Sequence, residues 1–325
     1  MPKITYRDAV RMALADEMRA DPKVIFFGED VAAAGGVFKV TPGLLEEFGD
    51  NRVRDTPISE QAIIGAGLGA ALTGLRPVVE LMFADFALVC MDQIVNQVAK
   101  YRYMSGGQFK VPLVIRAEQG AGAGFGTQHS QCTEAWFLQA PGLKVVVPGT
   151  PSDVYGLLRT AIRDDNPVVF LEHKLLLNMA EEVPDQMPAI PFGKAVIRRE
   201  GTDVTIVGTQ VVAHNAVEAA KQLEQEGISA EVIDLRTLAP LDKDCILKSV
   251  AKTGRLVIVE ESVHSAGWGG DVVSLVADEG IYFLNAPIKR VNMGAALVAY
   301  SPPLEDYVVP NAQRIAESVR VVINQ

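Results

Sequence analysis

Apolar residues in the first 180 positions follow two patterns that alternate along the chain. Short apolar runs predict buried strands, and segments with apolar residues three or four positions apart predict helices. The clearest strand patterns lie at 24–27, 78–83, 113–115, 145–147 and 168–171. This alternation is typical of an α/β fold, in which helices pack over a mostly parallel sheet.

Helix starts in this half carry recognisable capping residues. Thr5, with Asp8 three positions later, predicts an N-cap, and Thr150 followed by Pro151 predicts another. A helix beginning at Ser59 is rich in glycine and alanine as far as position 74, so a neighbouring element can approach it closely. The pattern also predicts one long helix over 86–103.

The composition changes at 181–193, which is acidic, punctuated by proline and without either period. We interpret this segment as an interdomain linker. The alternation then restarts, with strands predicted at 204–207, 230–234, 256–259 and 288–291 and helices predicted at 211–226, 242–252, 269–278 and 312–322. The chain is therefore expected to form two domains, 1–180 and 194–325, each a doubly wound, mostly parallel sheet.

Charge and composition narrow the functional classes. Forty acidic and thirty basic residues give a net charge of −10, which disfavours nucleic acid as a partner. No apolar stretch resembles a signal core or a membrane span, so we expect a cytoplasmic protein with no membrane association. Cys90, Cys132 and Cys245 are scattered and odd in number, which favours reduced core residues over disulfides or a zinc site.

A glycine run occupies 120–126 and leads into the polar segment 127–131. Glycine falls at every second position and no apolar helix follows directly, so the run does not match a dinucleotide-binding loop. A phosphate loop of the G-x-x-x-x-G-K-[ST] type is also absent from the sequence. A tightly turned loop is the more ordinary interpretation and a ligand-binding loop is the alternative.

Four histidines are present, and His129 is the most interesting because it follows this loop beyond a strand end, where open α/β sheets bind ligands. His214 lies on a predicted helix and is interpreted as structural. The absence of G-x-S-x-G argues against a hydrolase. Glu60 lies in the first turn of the glycine-rich helix, where the helix dipole alone would favour it, but the apolar helix behind it also permits a role at an interface or cofactor.

Taken together, the motifs resemble the β subunit of the thiamine-diphosphate-dependent E1 component of 2-oxoacid dehydrogenase complexes, the pyruvate, branched-chain and acetoin dehydrogenase group. The resemblance runs from the first helix nearly to the C-terminus. Its motifs lie at 27–31, 55–60, 74–77, 128–131, 141–146, 161–168 and 234–242.

This resemblance implies a pyrimidine-binding domain followed by a transketolase C-terminal-like domain. In the family an α subunit carries the G-D-G motif that holds Mg²⁺ and the diphosphate, and this sequence contains no G-D-G. The resemblance implies that Glu60 hydrogen-bonds N1′ of the cofactor's aminopyrimidine ring, that Phe86 and Met82 pack near that ring, and that His129 lines the active-site channel.

A structural potassium ion is also implied by the resemblance. Its ligands would be the side chain of Asn166 and backbone carbonyls of Leu113, Ala161, Ile162 and Asp164. The last carbonyls of a helix lack intrahelical partners, which makes them available to a hard cation.

The function implied is oxidative decarboxylation of a 2-oxo acid with acyl transfer to lipoyl groups on an E2 acyltransferase, by an α2β2 enzyme that is active only with its α subunit. Pyruvate is the favoured substrate and acetoin cleavage is the alternative within the family. A non-catalytic scaffold that only binds the α chain and E2 is the alternative from another class, and the presence of both Glu60 and His129 argues against it.

Overall fold

The computed structural model describes residues 2–184 and 186–325; Met1 and Asp185, the latter within the predicted linker, lie outside the described residues. The chain forms two compact units. The first comprises residues 2–119 and 136–192 apart from Asp185, and the second comprises residues 120–135 and 193–325. The glycine run and His129 therefore pack with the second unit, whereas the domain boundaries at 180 and 194 stay a prediction.

The first unit is built around a parallel sheet. Its described strands lie in the order β6-β7-β5-β4-β2-β3, and every neighbouring pair is parallel. The bounds are β2 (Val24–Gly28), β3 (Val53–Asp55), β4 (Arg76–Leu81), β5 (Val114–Gln119), β6 (Lys144–Val146) and β7 (Val168–His173). A separate antiparallel pair joins β1 (Lys3–Thr5) to β8 (Ala180–Glu182), so the predicted linker begins as a strand.

The predicted caps of this half are confirmed at two helices. The Thr5 side chain accepts a hydrogen bond from the Asp8 amide at the start of α1 (Tyr6–Ala20), and Thr150 accepts one from Asp153 at the start of α6 (Pro151–Arg163). The remaining helices here are α2 (Leu44–Phe48), α3 (Glu60–Leu72), α4 (Ala99–Met104) and α5 (Glu134–Leu138). Short 3₁₀ turns cover Thr127–His129 and Lys174–Leu176.

The prediction of a single α-helix over 86–103 is wrong, because the helical hydrogen-bonding pattern changes along this segment. A 3₁₀ segment covers Ala84–Cys90, a π-helical segment covers Asp92–Val98, and only α4 is regular α-helix. Apolar residues three or four positions apart are compatible with 3₁₀, π and α helices, so the sequence pattern could not distinguish the three helix types. The prediction of three buried cysteines is also corrected, because Cys90 is buried whereas Cys132 in its loop and Cys245 in the first turn of its helix are partly exposed.

The second unit has a mostly parallel sheet in the order β14-β13-β10-β11-β9, with β9 antiparallel to β11. The bounds of these strands are β9 (Val196–Arg199), β10 (Val204–Gly208), β11 (Ala230–Asp234), β13 (Leu256–Val259) and β14 (Lys289–Val291), and the short strand β12 (Thr237–Ala239) is not part of this sheet. Its helices are α7 (Gln210–Glu224), α8 (Lys243–Thr253), α9 (Gly269–Glu279), α10 (Pro302–Val308) and α11 (Ala312–Ile323), with a 3₁₀ turn at Ile281–Phe283.

These elements confirm the predicted α/β class. The apolar runs lie in the sheets as predicted: β13 is fully buried, and a core of buried aliphatic side chains lies between the second sheet and helices α7 and α11. In the described part of the chain, no helix is long and apolar enough to cross a bilayer.

Candidate active site

The sheet of the first unit changes its winding direction between β2 and β4. The chain passes from β2 to β3 on one side of β2, then returns to β4 on its other side. A crevice forms at the carboxyl edge of an open parallel sheet where the strand order reverses, and ligands bind there. The residues that follow β2 and β4 at this edge are Glu29 and Met82.

Glu60 opens α3, the helix that leads from β3 back across the sheet to β4. Its side chain is almost fully buried, with 8% of the residue exposed. Ser59 occupies the N-cap position, but its side chain makes no capping hydrogen bond. The first turn of α3 therefore contains a buried carboxylate, and the Ser59 side chain accepts no hydrogen bond from the backbone amides of that turn. An ordinary first turn is exposed to solvent and capped by a side chain.

Glu29 is a second carboxyl group beside Glu60. Burial raises the pKa of Glu29, and the neighbouring charges of Glu60 and Asp30 raise it further. Among the described residues its Oε1 atom is buried and has no hydrogen-bond partner. Burial, reinforced by the Glu60 charge, likewise raises the pKa of the Cys90 thiol to about 12. A second carboxyl group therefore lies near Glu60 at this edge of the sheet.

Glu29 lies in the motif at 27–31, from which no role for this residue was predicted. Its signal was present, because Gly28-Glu29-Asp30 directly follows a buried strand. What the sequence could not show was the proximity of Glu60, which is the first residue of α3.

Met82 and Phe86 lie just beyond β4 and are both partly exposed. The Phe86 ring packs edge-to-face on the buried Phe83 ring, with the ring centroids 5.7 Å apart. Phe83 in turn packs edge-to-face on Phe38 at 5.4 Å. This aromatic row fixes the Phe86 ring while leaving part of its surface open, which is the arrangement needed for stacking against a planar ligand.

Behind the edge lies a buried charge cluster that sequence reasoning missed. The Arg116 guanidinium is fully buried and donates hydrogen bonds to the carboxylates of Glu80, Glu118 and Glu172. These residues lie on β4, β5 and β7 near the strand ends. Burial, together with the charge of Glu172, raises the pKa of Glu118 well above its ordinary value. The cluster therefore joins β4, β5 and β7 by ion pairs, just before the carboxyl ends of these strands.

His129 lies in the second unit and is half-buried at the end of a 3₁₀ turn that begins at Thr127. Its backbone amide donates to the carbonyl of Gly126 at 3.3 Å. Of the other histidines, His173 is buried and its Nδ1 accepts a hydrogen bond from the Leu175 amide, and His264 Nδ1 pairs with the Asn292 side chain. His214 lies on α7, as predicted.

The proposed potassium ligands gather at the end of α6. The carbonyl oxygens of Ile162 and Asp164 accept hydrogen bonds from Arg76 at 3.0 and 3.2 Å, and the Leu113 carbonyl accepts one from the Val168 amide. The Ala161 carbonyl accepts one from the Asp164 amide. The Asn166 side-chain oxygen accepts one from Arg102. Each of these oxygens already accepts a hydrogen bond and keeps a second lone pair. A cation bound here would share three of the oxygens with the guanidinium groups of Arg76 and Arg102, and the ion stays a prediction.

Two domain families match this chain. The family described as "Transketolase, pyrimidine binding domain" matches residues 2–179, and the one described as "Transketolase, C-terminal domain" matches residues 193–315.

Three relatives that match nearly the whole chain carry three different names. The chain is 48% identical over 328 residues to the acetoin:2,6-dichlorophenolindophenol oxidoreductase subunit beta of Cupriavidus necator, covering 98% of this chain and 97% of that protein. It is 46% identical over 324 residues to the pyruvate dehydrogenase E1 component subunit beta of Rhizobium meliloti, covering 99% and 70%. It is 42% identical over 322 residues to the 2-oxoisovalerate dehydrogenase subunit beta of Bacillus subtilis, covering 98% of each.

A solved structure has the same fold. A split-gene transketolase chain, titled as an inactive β4 tetramer, superimposes with a TM-score of 0.82 at 25% identity and covers 99% of each chain.

Proposed function

The chain belongs to the family of E1 β subunits of 2-oxoacid and acetoin dehydrogenases, and from this premise we propose that it supplies half of a thiamine-diphosphate site that oxidatively decarboxylates a 2-oxo acid. The acyl group passes to lipoyl groups of an E2 acyltransferase. Pyruvate is the favoured substrate. The observation that carries the proposal is the identity of 42–48% over nearly the whole chain to β subunits of such enzymes.

The edge of the first unit fits an aminopyrimidine ring. Glu60 offers a buried carboxylate, Phe86 a partly open aromatic face and Met82 a thioether. The Oε1 atom of Glu29, which interacts with the Glu60 charge, is buried without a hydrogen-bond partner among the described residues. When bound, thiamine diphosphate supplies a nucleophilic carbon that attacks the 2-oxo carbonyl. Glu60 would hydrogen-bond N1′ of the ring, and Phe86 and Met82 would pack against its faces.

The chemical task of Glu60 is to share a proton with N1′. A carboxyl group placed there acts as a general acid and base, and burial keeps water from competing for the hydrogen bond. Burial and the neighbouring charges of Glu60 and Asp30 raise the pKa of Glu29, so a carboxyl group that binds its proton more tightly than an exposed one lies near Glu60. Glu60 would hold and return the proton at the ring nitrogen.

The other half of the site would come from an α subunit in an α2β2 assembly, with Mg²⁺ held by that subunit. The absence of a G-D-G motif from this sequence supports the proposal. The surface of α3 supports it as well: Ala62, Ala66 and Gly69 are exposed on one face of that helix. A Cβ atom added at Gly69 would meet no atom within 4 Å, and one added at Gly65 would meet only the Gln93 amide, at 3.7 Å.

Gly65 and Gly69 each weaken the helix by about 1 kcal/mol relative to alanine. The packing of this chain does not require either glycine, because the space around both would accept a Cβ atom. A partner that approaches the backbone of α3 closely would explain them. Gly67 is the contrasting case, because an added Cβ there would meet Leu113 and Val79 at 3.0 Å inside the unit.

We assign His129 to the active-site channel, where it would contact the substrate or the lipoyl group. We also assign a structural potassium ion to the carbonyls of Leu113, Ala161, Ile162 and Asp164 with Asn166. The donor set at the end of α6 supports the ion, and the position of His129 after a strand-end loop supports its role.

Acetoin cleavage is the second candidate, because the relative from Cupriavidus necator is 48% identical and carries that name. A substrate panel separates the two. The chain is co-expressed with its α subunit, and reduction of an artificial electron acceptor is measured with pyruvate, branched-chain 2-oxo acids and acetoin. Turnover with pyruvate that requires both chains and thiamine diphosphate supports the proposal. Turnover by the isolated chain would contradict the half-site, and no turnover with any substrate by an assembled pair would favour the scaffold alternative.

A further inference from the structure

The backbone amides of the glycine-rich loop 120–126 are bound by two buried carboxylates of the same unit. Glu305 Oε1 accepts a hydrogen bond from the Gly122 amide at 2.6 Å, and Glu305 Oε2 accepts one from the Gly124 amide at 3.2 Å. Glu261 Oε1 accepts one from the Ala121 amide at 2.6 Å. Both glutamates are buried, with 3% and 6% of each residue exposed.

The loop conformation explains how one carboxylate reaches two amides. Gly120, Gly122, Gly124 and Gly126 all have positive φ, between 70° and 94°. Alternation of left-handed glycines with other residues turns successive amides toward one side, and such a concave row of amides binds anions. In this protein the anions bound by these amides are the carboxylates of Glu261 and Glu305.

The segment that carries Glu305 holds the loop at further points. The Thr127 hydroxyl donates to the Val298 carbonyl at 2.8 Å. The Tyr300 ring covers Gly126 so closely that an added Cβ would come within 2.4 Å of it. Ala121 is buried with Met293 and Val298 in a small apolar cluster. Residues 293–305 therefore fasten the loop along most of its length.

We propose that Glu305 is a positioning residue that latches the loop 120–126 and thereby sets the position of His129. The link is short, because His129 follows Thr127 in the same 3₁₀ turn and its amide donates to Gly126. The contacts between the loop 120–126 and residues 293–305 all lie within the second unit. Its effect on turnover rests on the role proposed above for His129, so the two are tested separately.

The latch is tested by amide hydrogen–deuterium exchange on the full-length chain. Glu305→Ala removes both acceptors, and exchange at Gly122 and Gly124 is expected to accelerate by about 10-fold or more, because a hydrogen bond to a charged acceptor is strong enough for that change. Glu305→Gln keeps one acceptor oxygen and should accelerate exchange less. Asp306→Ala is the matched control, since Asp306 is exposed on the same helix.

A rescue experiment separates latching from general packing. Formate is a carboxylate small enough to occupy the space left in Glu305→Ala, and it should slow exchange at both glycines again, whereas chloride at equal ionic strength should not. Exchange rates unchanged from wild type in Glu305→Ala would overturn the latch. Fast exchange spread evenly over the second unit, with no response to formate, would also overturn it and leave Glu305 as a packing residue.

The positioning role is tested in the co-expressed αβ enzyme. Glu305→Ala is expected to lower kcat at least 10-fold while the affinity for thiamine diphosphate stays within about 2-fold, and formate should restore part of the loss. If the variant loosens the loop but keeps wild-type turnover, positioning of His129 by Glu305 is contradicted although the latch stands. If His129→Ala is itself fully active, the assignment of His129 has failed instead.

Discussion

Arg116 on β5 and Glu172 on β7 form a two-point ion pair in the interior of the first sheet. The guanidinium Nη2 lies 2.8 Å from Glu172 Oε2, and Nε donates to the other carboxylate oxygen. Both side chains are excluded from solvent. With all three carboxylates ionised, the one buried arginine would leave a net charge of −2. Burial, together with the charge of Glu172, raises the pKa of Glu118 well above its ordinary value, which favours its protonated form.

Glu118→Gln should therefore be tolerated at neutral pH and should stabilise the chain. Because the folded-state pKa of Glu118 is raised, the folded protein holds a proton that the unfolded chain loses above about pH 4.3, and wild-type stability falls as the pH rises through that window. Glutamine does not titrate, so the free energy of unfolding of the variant should increase relative to that of wild type from pH 4 to pH 8. Urea midpoints measured across this range test the sign.

Two variants serve as controls for Glu118→Gln, one in the same buried cluster and one on the surface. Arg116→Met leaves buried carboxylates without a partner and should cost about 3–5 kcal/mol. Glu46→Gln, at an exposed carboxyl on α2, should give no pH-dependent difference. A Glu118→Gln variant that is less stable than wild type at pH 7 would contradict a protonated Glu118.

Local signals were sufficient for most of the fold. The caps at Thr5 and Thr150 and the strands at 24–27 and 256–259 are set by residues within a few positions, so the sequence predicted them. The pairing of Lys3–Thr5 with Ala180–Glu182 joins segments far apart in the chain and had no local signal.

The missed parts of the site are also contacts between distant segments. The strand at 113–115 was predicted to end before Arg116, because a run of Arg-Ala-Glu-Gln looks exposed when read alone. Arg116 is buried only because Glu80 and Glu172, 36 and 56 residues away, neutralise it. Glu60 and His129 could be singled out by their neighbours in sequence, whereas the Glu29–Glu60 proximity and the Glu305 latch depend on the tertiary fold.

The exposed face of α3 predicts opposite effects of one substitution on the chain and on its assembly. Gly69→Leu should stabilise the isolated chain by about 0.5–1 kcal/mol, because leucine is the better helix former and the space around Gly69 is open. In the presence of the α subunit the added side chain should block close approach and weaken assembly. Thermal unfolding of the chain and the mass of the mixed complex test both parts.

Gly270→Leu is the matched control for that substitution. Gly270 lies in α9, and an added Cβ there also meets no atom within 4 Å. It should raise helix stability without affecting assembly. Normal assembly of Gly69→Leu would remove α3 from the partner interface.

Potassium should stabilise the first unit if the carbonyls at the end of α6 bind it. Exchange of potassium for choline at equal ionic strength should lower the free energy of unfolding by about 1.4 kcal/mol when potassium is at ten times its Kd. Asn166→Ala should abolish the difference between the two salts. Equal unfolding midpoints of the wild-type chain in both salts would contradict the ion site.

His129→Ala should lower turnover of the αβ enzyme more than it lowers cofactor affinity. The reason is that the proposed contact is with substrate or lipoyl group, so its loss affects the chemical and transfer steps. His214→Ala, on α7, is the control and should leave turnover unchanged. Equal losses of cofactor affinity and thermal stability, with normal turnover per bound cofactor, would make His129 structural.

Glu60→Gln tests the proposal at its centre. Glutamine keeps the size of the side chain and one hydrogen bond but cannot donate or accept the proton at N1′, so turnover should fall by about 10²-fold or more while the αβ assembly stays intact. A residue that only stabilised the helix dipole would cost about 0.3–1 kcal/mol of stability and leave turnover unchanged. Asp271→Asn is the matched control, because Asp271 is an exposed carboxylate in the first turn of α9. Exchange of the thiazolium C2 hydrogen in the assembled enzyme is the deciding measurement, since a wild-type exchange rate in Glu60→Gln would show that the buried carboxylate at the start of α3 takes no part in the chemistry.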